Sequence, residues 1–156
     1  MDVAARPATS ADVTTIDGLA ADAIAEQADG RGGAIWAVRE ARRQPRGEGL
    51  AAAIVDDDQL VLVGTIDGDV VGYATTELET LADGSTLGVL TSVFVLAGAR
   101  AVSVGEVLLD AVLAWCRSRR CVGIDAHALP GNRDTKNFFE TFGLTARLIV
   151  VHKKLT

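Results

Sequence analysis

The spacing of apolar positions changes several times along this chain, and each change marks an element. Val3-Ala4-Ala5-Arg6-Pro7 predicts a short strand, and Thr9 to Asp12 has the S/T-x-x-D/E form of a helix N-cap box. Ile16, Leu19, Ala20, Ala23 and Ile24 then recur at three and four, giving a helix with one apolar face until Gly30, Gly32 and Gly33 break it. A second helical stretch is predicted from Ala34 through Arg43. Gln44 to Gly49, with a proline and two glycines, reads as a loop, and Leu50 to Val55 as one or two further helical turns.

The pattern then turns to strands. Leu60 to Val63 and Val70 to Ala74 flank Asp67-Gly68, a dipeptide favoured in two-residue hairpin turns. A second turn at Asp83-Gly84 leads into Leu87 to Val95, nearly continuous in apolar residues and so expected in the middle of a sheet. After a loop at Ala97 to Ala101, residues Val104, Val107, Leu108, Ala111, Val112 and Trp115 fall at helical spacing, ending in the cations Arg117, Arg119 and Arg120. That helix predicts a crossover to a strand at Val122 to Ala128. A short helix from Asp134 to Phe142, stopped by Gly143, and a final strand from Leu144 to His152 complete the chain. The order predicts an α+β fold, a mixed and mostly antiparallel central sheet flanked by helices, in one domain covering residues 1–156.

Composition narrows the partners. A chain of 156 residues, 49% hydrophobic, has the size of one domain with a continuous core. A formal charge of -6 argues against a nucleic-acid partner, because phosphate binding is driven by Lys and Arg. The acidity is also an ordinary solubility device, and it would not repel a basic small molecule or peptide. Cys116 and Cys121 stand outside any metal-ligating spacing and read as free thiols; no metal is expected. With no apolar leader and no run long enough to span a bilayer, the chain reads as soluble and cytoplasmic, with no membrane partner. Arg39, Arg42, Arg43 and Arg46 form a basic cluster, read as a solvated helix face balanced by Glu40 and Glu48, with an anionic ligand as the alternative.

The chemistry concentrates at Arg100-Ala101-Val102-Ser103-Val104-Gly105, between a buried strand and an amphipathic helix. The first-turn N–H groups of that helix lack intrahelical partners, and its dipole adds about half a positive charge, so a pyrophosphate is a natural occupant. Gly105 removes a Cβ where a phosphate approaches, and Arg100 offers a cation with a fork of donors. By itself such a loop also describes many structural turns.

The order of elements around the loop is more telling, because it follows an antiparallel meander rather than the first strand of a βαβ unit. This arrangement resembles the GNAT superfamily of N-acetyltransferases, whose acetyl-CoA loop has the form Q/R-x-x-G-x-G/A. Arg6-Pro7-Ala8-Thr9 with Asp12 resembles that family's opening segment, and Asp67-Gly68 with Val71-Gly72-Tyr73 resembles its hairpin. Asn132, Phe138, Phe139, Glu140 and Phe142-Gly143-Leu144 resemble its closing N-x-x-x-x-x-F-Y-E-x-x-G-F segment. The resemblance implies an acetyl-CoA cosubstrate held by the backbone of Phe94 and Val95, by the loop Arg100 to Gly105 with Glu106, and by Asn132 or Asn137. It also implies a homodimer. Two positions depart from the pattern: Ser103 replaces the first loop glycine, which matters if the backbone there requires positive φ, and Phe139 replaces the tyrosine that protonates the leaving thiolate.

Loss of a general acid costs roughly 10² to 10⁴ in rate, less where the leaving group is a thiol of pKa about 8.5. The amine is the heavier demand. A lysine-like amine of pKa about 10.4 must shed a proton at pH 7, a deficit of roughly 4.6 kcal/mol. Glu77 and Glu79 share one face of a strand, and Asp125 and His127 share one face of another; Glu77 is the first candidate base and His127 the second. Tyr73 reads as a half-buried strand residue, and Trp36 and Trp115 as packing residues, Trp36 with the alternative of walling an acceptor pocket. Two functions follow: an N-acetyltransferase acting on a small-molecule or peptide amine, or a CoA-binding or protein-interaction domain of the same fold without turnover.

Overall fold

A computed structural model describes all residues from Met1 to Thr156. Strand β1 (Val3–Pro7) is followed by three helices, α1 (Val13–Ala28), α2 (Gly33–Arg39) and α3 (Arg46–Val55). Strands β2 (Gln59–Ile66), β3 (Asp69–Thr80) and β4 (Thr86–Val95) come next, then α4 (Val104–Ser118), β5 (Gly123–Ala126) and α5 (Arg133–Thr141). The five strands lie in sequence order in one sheet. Neighbours are antiparallel from β1 to β4, whereas β4 and β5, joined through the crossover helix α4, are parallel.

Alternation along the strands sends their side chains into two cores. Val61, Val63, Tyr73 and Phe94 meet Ile16, Leu19 and Ala23 of α1 and Leu50 and Ala53 of α3 on one face. Leu62, Ala74, Leu90 and Val95 meet Val104, Leu108 and Val112 of α4 and Phe139 of α5 on the other. The start of α4 sits especially close to the sheet. Gly64 and Gly72 face each other across β2 and β3, and a Cβ on Gly64 would lie 2.6 Å from Val104 Cγ1. Two missing side chains thus seat the N-terminus of α4 on the sheet, which fixes the loop before it.

The register slips between Thr75 and Thr76, leaving Thr91 of β4 as the extra residue of a bulge. Beyond it β4 parts from β5: their pairing runs only from Leu87↔Gly123 to Leu90↔Ala126, while β4 continues to Val95. The strand expected over Val122 to Ala128 is therefore confined to Gly123–Ala126. Cys116 and Cys121 are free thiols, and burial pushes that of Cys116 up to about 12.

Three expectations need correction. Arg46 to Gly49 belong to α3, because Pro45 fixes a favourable φ at the cap and burial of Leu50 and Ala53 outweighs the poor propensity of two glycines. The second helix ends at Arg39 rather than Arg43. The final strand from Leu144 to His152 does not form: residues 145–156 make no backbone hydrogen bond with one another or with the rest of the chain, and Arg147, through its pair with Asp125, ties the segment beside β5. A strand needs backbone pairing as well as propensity, and this segment, though tied beside the edge strand β5, makes none within the chain.

Candidate active site

Where β4 parts from β5, its backbone is left without a ladder on one side. The Leu96 N–H donates to Val71 O on β3, and Phe94 is registered with Tyr73 of β3. By alternation, Val93 and Val95 turn their N–H and C=O groups the other way, toward the opening. Arg100 agrees with this assignment, since its Nε donates to Val95 O at 2.8 Å. Of the two strand residues expected at the cofactor, then, Val95 points its backbone into the opening and Phe94 into the sheet. Val93 turns the same way as Val95.

The loop Arg100 to Gly105 arrives at the N-terminus of α4 with a specific geometry. Ser103 caps the helix in the left-handed region, φ 64 and ψ 15, so the departure from glycine falls where the backbone does require positive φ. Its hydroxyl makes no capping bond. The first helical bond is Val107 N–H to Ser103 O, which leaves the N–H groups of Val104, Gly105 and Glu106 directed off the helix end. The cation is not free. Arg100 donates from both terminal nitrogens to Glu26 at 2.7 and 2.6 Å and stacks 5.4 Å from the Phe94 ring centroid. Gly105 serves packing, since a Cβ there would come within 3.2 Å of Phe138 Cζ. Ala101, Ser103 and Glu106 are exposed, Val102 is half-buried and Val104 buried.

On α5, Asn132 is spent as the helix cap: its Oδ1 accepts from Thr135 N–H at 3.3 Å. Asn137 is exposed on the helix surface, and Phe139 is buried.

Two cavities open at the bulge. The larger, about 290 Å³, lies between the sheet and the α2–α3 region and is lined by Glu77, Arg42, Arg43 and Arg46 among others. The smaller, about 60 Å³, lies where β4 leaves β5 and is lined by Val93, His127 and Phe139. Trp36, Tyr73, Thr91 and Ser92 line both. Glu77 and His127, both exposed, are thus brought to the rims of adjoining cavities, whereas Glu79 lines neither. Asp125 is paired with Arg147, which holds its carboxyl below the usual range, with His127 the smallest influence. The sequence pairing of Asp125 with His127 is accordingly replaced by one with Arg147.

The floor between the cavities is polar and satisfied within itself. Thr75 Oγ1 lies 2.6 Å from Thr91 Oγ1 and 2.5 Å from Ser92 Oγ. Tyr73, only 4% exposed, is more deeply buried than its strand pattern predicts. Burial pushes its phenol up, opposed by the nearby Ser92 hydroxyl and by the charges of Arg42 and Arg46. The arginine cluster is a solvated face only in part: Arg39 and Arg43 are exposed, whereas Arg42 is half-buried and Arg46 buried, and Arg42, Arg43 and Arg46 line the larger cavity.

Comparison with known proteins finds both a family and solved structures of similar fold. The model of the acetyltransferase (GNAT) family matches residues 33–144. The chain belongs to this family. That membership makes it an N-acetyltransferase, and GNAT enzymes use acetyl-CoA. Among solved structures, a tetramutant of the BH1408 protein from Bacillus halodurans is 17% identical with a TM-score of 0.82, over 99% of this chain and 100% of that one. AAC(6')-Iy, solved with the bisubstrate analogue CoA-S-monomethyl-acetylneamine, is 18% identical with a TM-score of 0.73 over 99% and 100% of the two chains. A ribosomal-protein-alanine N-acetyltransferase from Brucella melitensis biovar Abortus 2308 is 15% identical with a TM-score of 0.72 over the same shares. At these identities the likeness is one of fold. No curated protein matches this chain. No helix is long and apolar enough to cross a membrane, and no group of three or more His, Cys, Asp or Glu side chains could hold a metal ion.

Proposed function

We propose that this acetyltransferase moves an acetyl group from acetyl-CoA to a primary amine by direct attack, and that the gap between β4 and β5 holds the pantetheine arm. One observation carries the reading: β4 loses its parallel partner after Leu90, and beyond that point Val93 lines a cavity that adjoins a larger one. The pyrophosphate lies at the loop Arg100 to Gly105 and the first N–H groups of α4, with Glu106 at its margin. Asn132, which also caps α5, and the exposed Asn137 offer further contacts to the cofactor in this reading.

In this reading the amine enters through the larger cavity and loses a proton to Glu77, directly or through water. His127, at the smaller cavity, is the alternative base. The nitrogen lone pair attacks the thioester carbonyl carbon, a strand N–H at Val93 or Val95 steadies the oxyanion, the attacking nitrogen gives its second proton to water, and the C–S bond breaks to release thiolate. Phe139 lines the smaller cavity and has no proton to give, so water protonates the thiolate. The same reading includes a homodimer, supported by the apolar, unpaired segment beside β5.

Phe139 and the strained Ser103 also favour a second reading, a CoA-binding domain that does not turn over. Thiol release from acetyl-CoA across an amine panel separates the two. Release dependent on both reactants, lowered roughly 10² to 10⁴-fold by Glu77→Gln, supports transfer with Glu77 as base. A melting shift by acetyl-CoA without release from any amine supports binding alone.

A further inference from the structure

The larger cavity is walled by arginine in a chain whose net charge is -6. Arg46 is fixed: its side chain is 7% exposed and its Nε donates to Asp17 Oδ1 at 2.6 Å. The Gln44 amide carbonyl, in the orientation that satisfies both groups, accepts from its terminal nitrogens at 2.9 and 2.8 Å. Arg42 and Arg43 differ. Neither has a carboxylate within ion-pair distance, and neither side chain makes a hydrogen bond. Arg42 is half-buried against α3, where the missing side chain of Gly49 leaves it room: a Cβ there would lie 3.3 Å from Arg42 Nη1. Glu40 is near Arg39, at 3.6 Å, leaving Glu77 as the lining carboxylate without a cationic partner.

Arg42 is a half-buried guanidinium without a counter-charge, which is costly, and the exposed Arg43 and Glu77 stand unpaired on the same cavity, so that a ligand carrying both charges satisfies all three. The forks come from the α2–α3 connection and the carboxylate from the sheet, so the cavity has a positive wall and a negative floor. Planar guanidinium forks match a carboxylate bidentately. A volume of about 290 Å³ suits a small molecule. We propose, building on the transfer reading above, that the acceptor is a small zwitterionic amine of the amino-acid type, its carboxylate held by Arg42 and Arg43 and its ammonium directed toward Glu77. A polycation is repelled by the same wall. The acceptor class therefore differs from that of the aminoglycoside acetyltransferases that share the fold.

The test sets the twenty common L-amino acids singly against their carboxamides and against kanamycin, reading thiol release from acetyl-CoA, with melting temperature as an independent readout. At least one amino acid is expected to exceed its carboxamide and kanamycin about tenfold or more in kcat/KM. The double variant Arg42→Gln, Arg43→Gln is expected to erase that preference by raising KM about ten- to hundredfold, while acetyl-CoA still shifts its melting temperature. Equal or better use of carboxamides or kanamycin, or a preference that survives in the double variant, overturns the proposal and leaves the transfer reading standing. If nothing is acetylated, the transfer reading fails and binding decides this one. A melting shift by amino acids that their carboxamides do not give, and that the double variant lacks, upholds it; equal shifts, or none, overturn it.

Discussion

Both carboxylate oxygens of Glu26 are taken by the guanidinium of Arg100, at 2.7 and 2.6 Å, bridging α1 to the loop that precedes α4. The two side chains are 47% and 44% exposed, so the pair itself contributes at most about 1 kcal/mol to stability. Its larger effect is on charge, because the one arginine of the loop is neutralised where a pyrophosphate is to bind. Glu26→Gln is expected to leave the melting temperature nearly unchanged and to tighten acetyl-CoA binding several-fold at low ionic strength, the gain fading in salt. Isothermal titration at two salt concentrations checks this. A clear weakening would show instead that the pair holds the loop in its binding shape.

Ser103 sits at φ 64 in the cap of α4 without a capping bond from its hydroxyl. A left-handed conformation costs an L-residue roughly 1–2 kcal/mol, and glycine avoids it at some expense in chain entropy. Ser103→Gly is therefore expected to stabilise the protein by about 0.5–1 kcal/mol, whereas Ser103→Ala, which keeps the strain, brings no gain. Thermal unfolding of the three proteins gives the ranking, and a glycine variant that melts below the parent contradicts it.

Local signals were legible where local chemistry decides. Asp67-Gly68 set the β2–β3 turn, the continuous apolar run of β4 placed it inside the sheet, and the 3.6-residue spacing from Val104 marked α4. Features set by pairing or packing between distant segments were not. The gap after Leu90 depends on a bulge at Thr91, which no residue pattern announces. Glu77 and His127 could be named as strand residues with titratable groups, but their adjoining cavities come from that gap. Arg42 and Arg46 read as solvated cations because their spacing says nothing of the sheet across from them. Gly105 illustrates the converse: glycine suited a phosphate loop, yet its neighbour is Phe138, from a helix about thirty residues on.

Asp12 offers a pH test of the fold. It accepts from Arg6 Nη1 and Nη2 at 2.8 and 3.0 Å and from Thr9 N–H at 2.8 Å, and the Arg6 hydrogen bonds lead in lowering its carboxyl to about 2. A depressed pKa stabilises the fold fully above the unfolded value of about 3.9 and loses that contribution as pH falls through about 2. Arg6 is 44% exposed, so water limits the effect, and Asp12→Asn is expected to cost about 1–2 kcal/mol at pH 7. Urea unfolding at pH 7 and at pH 2.5 (roughly, below the unfolded pKa) is expected to show the difference between parent and variant shrinking in acid. An equal difference at both pH values would assign the loss to capping geometry rather than charge.

Arg147 holds its segment to Asp125 of β5, yet the four residues that follow bury almost nothing: Leu148, Ile149, Val150 and Val151 are 71%, 79%, 74% and 90% exposed. Beside them runs the outer edge of β5, whose backbone has no partner strand. An exposed apolar run next to an open sheet edge is a pairing site, and each chain carries both halves of it. A two-fold arrangement satisfies them together, with the segment of one copy covering the β5 edge of the other. Sedimentation at micromolar concentration is accordingly expected to give a dimer. Leu148 and Val150 lie on the same side of an extended chain, so replacing both with glutamate is expected to yield a monomer with the melting transition retained. A wild-type monomer would overturn the dimer, and a dimer indifferent to both charges would place its contact elsewhere on the molecule.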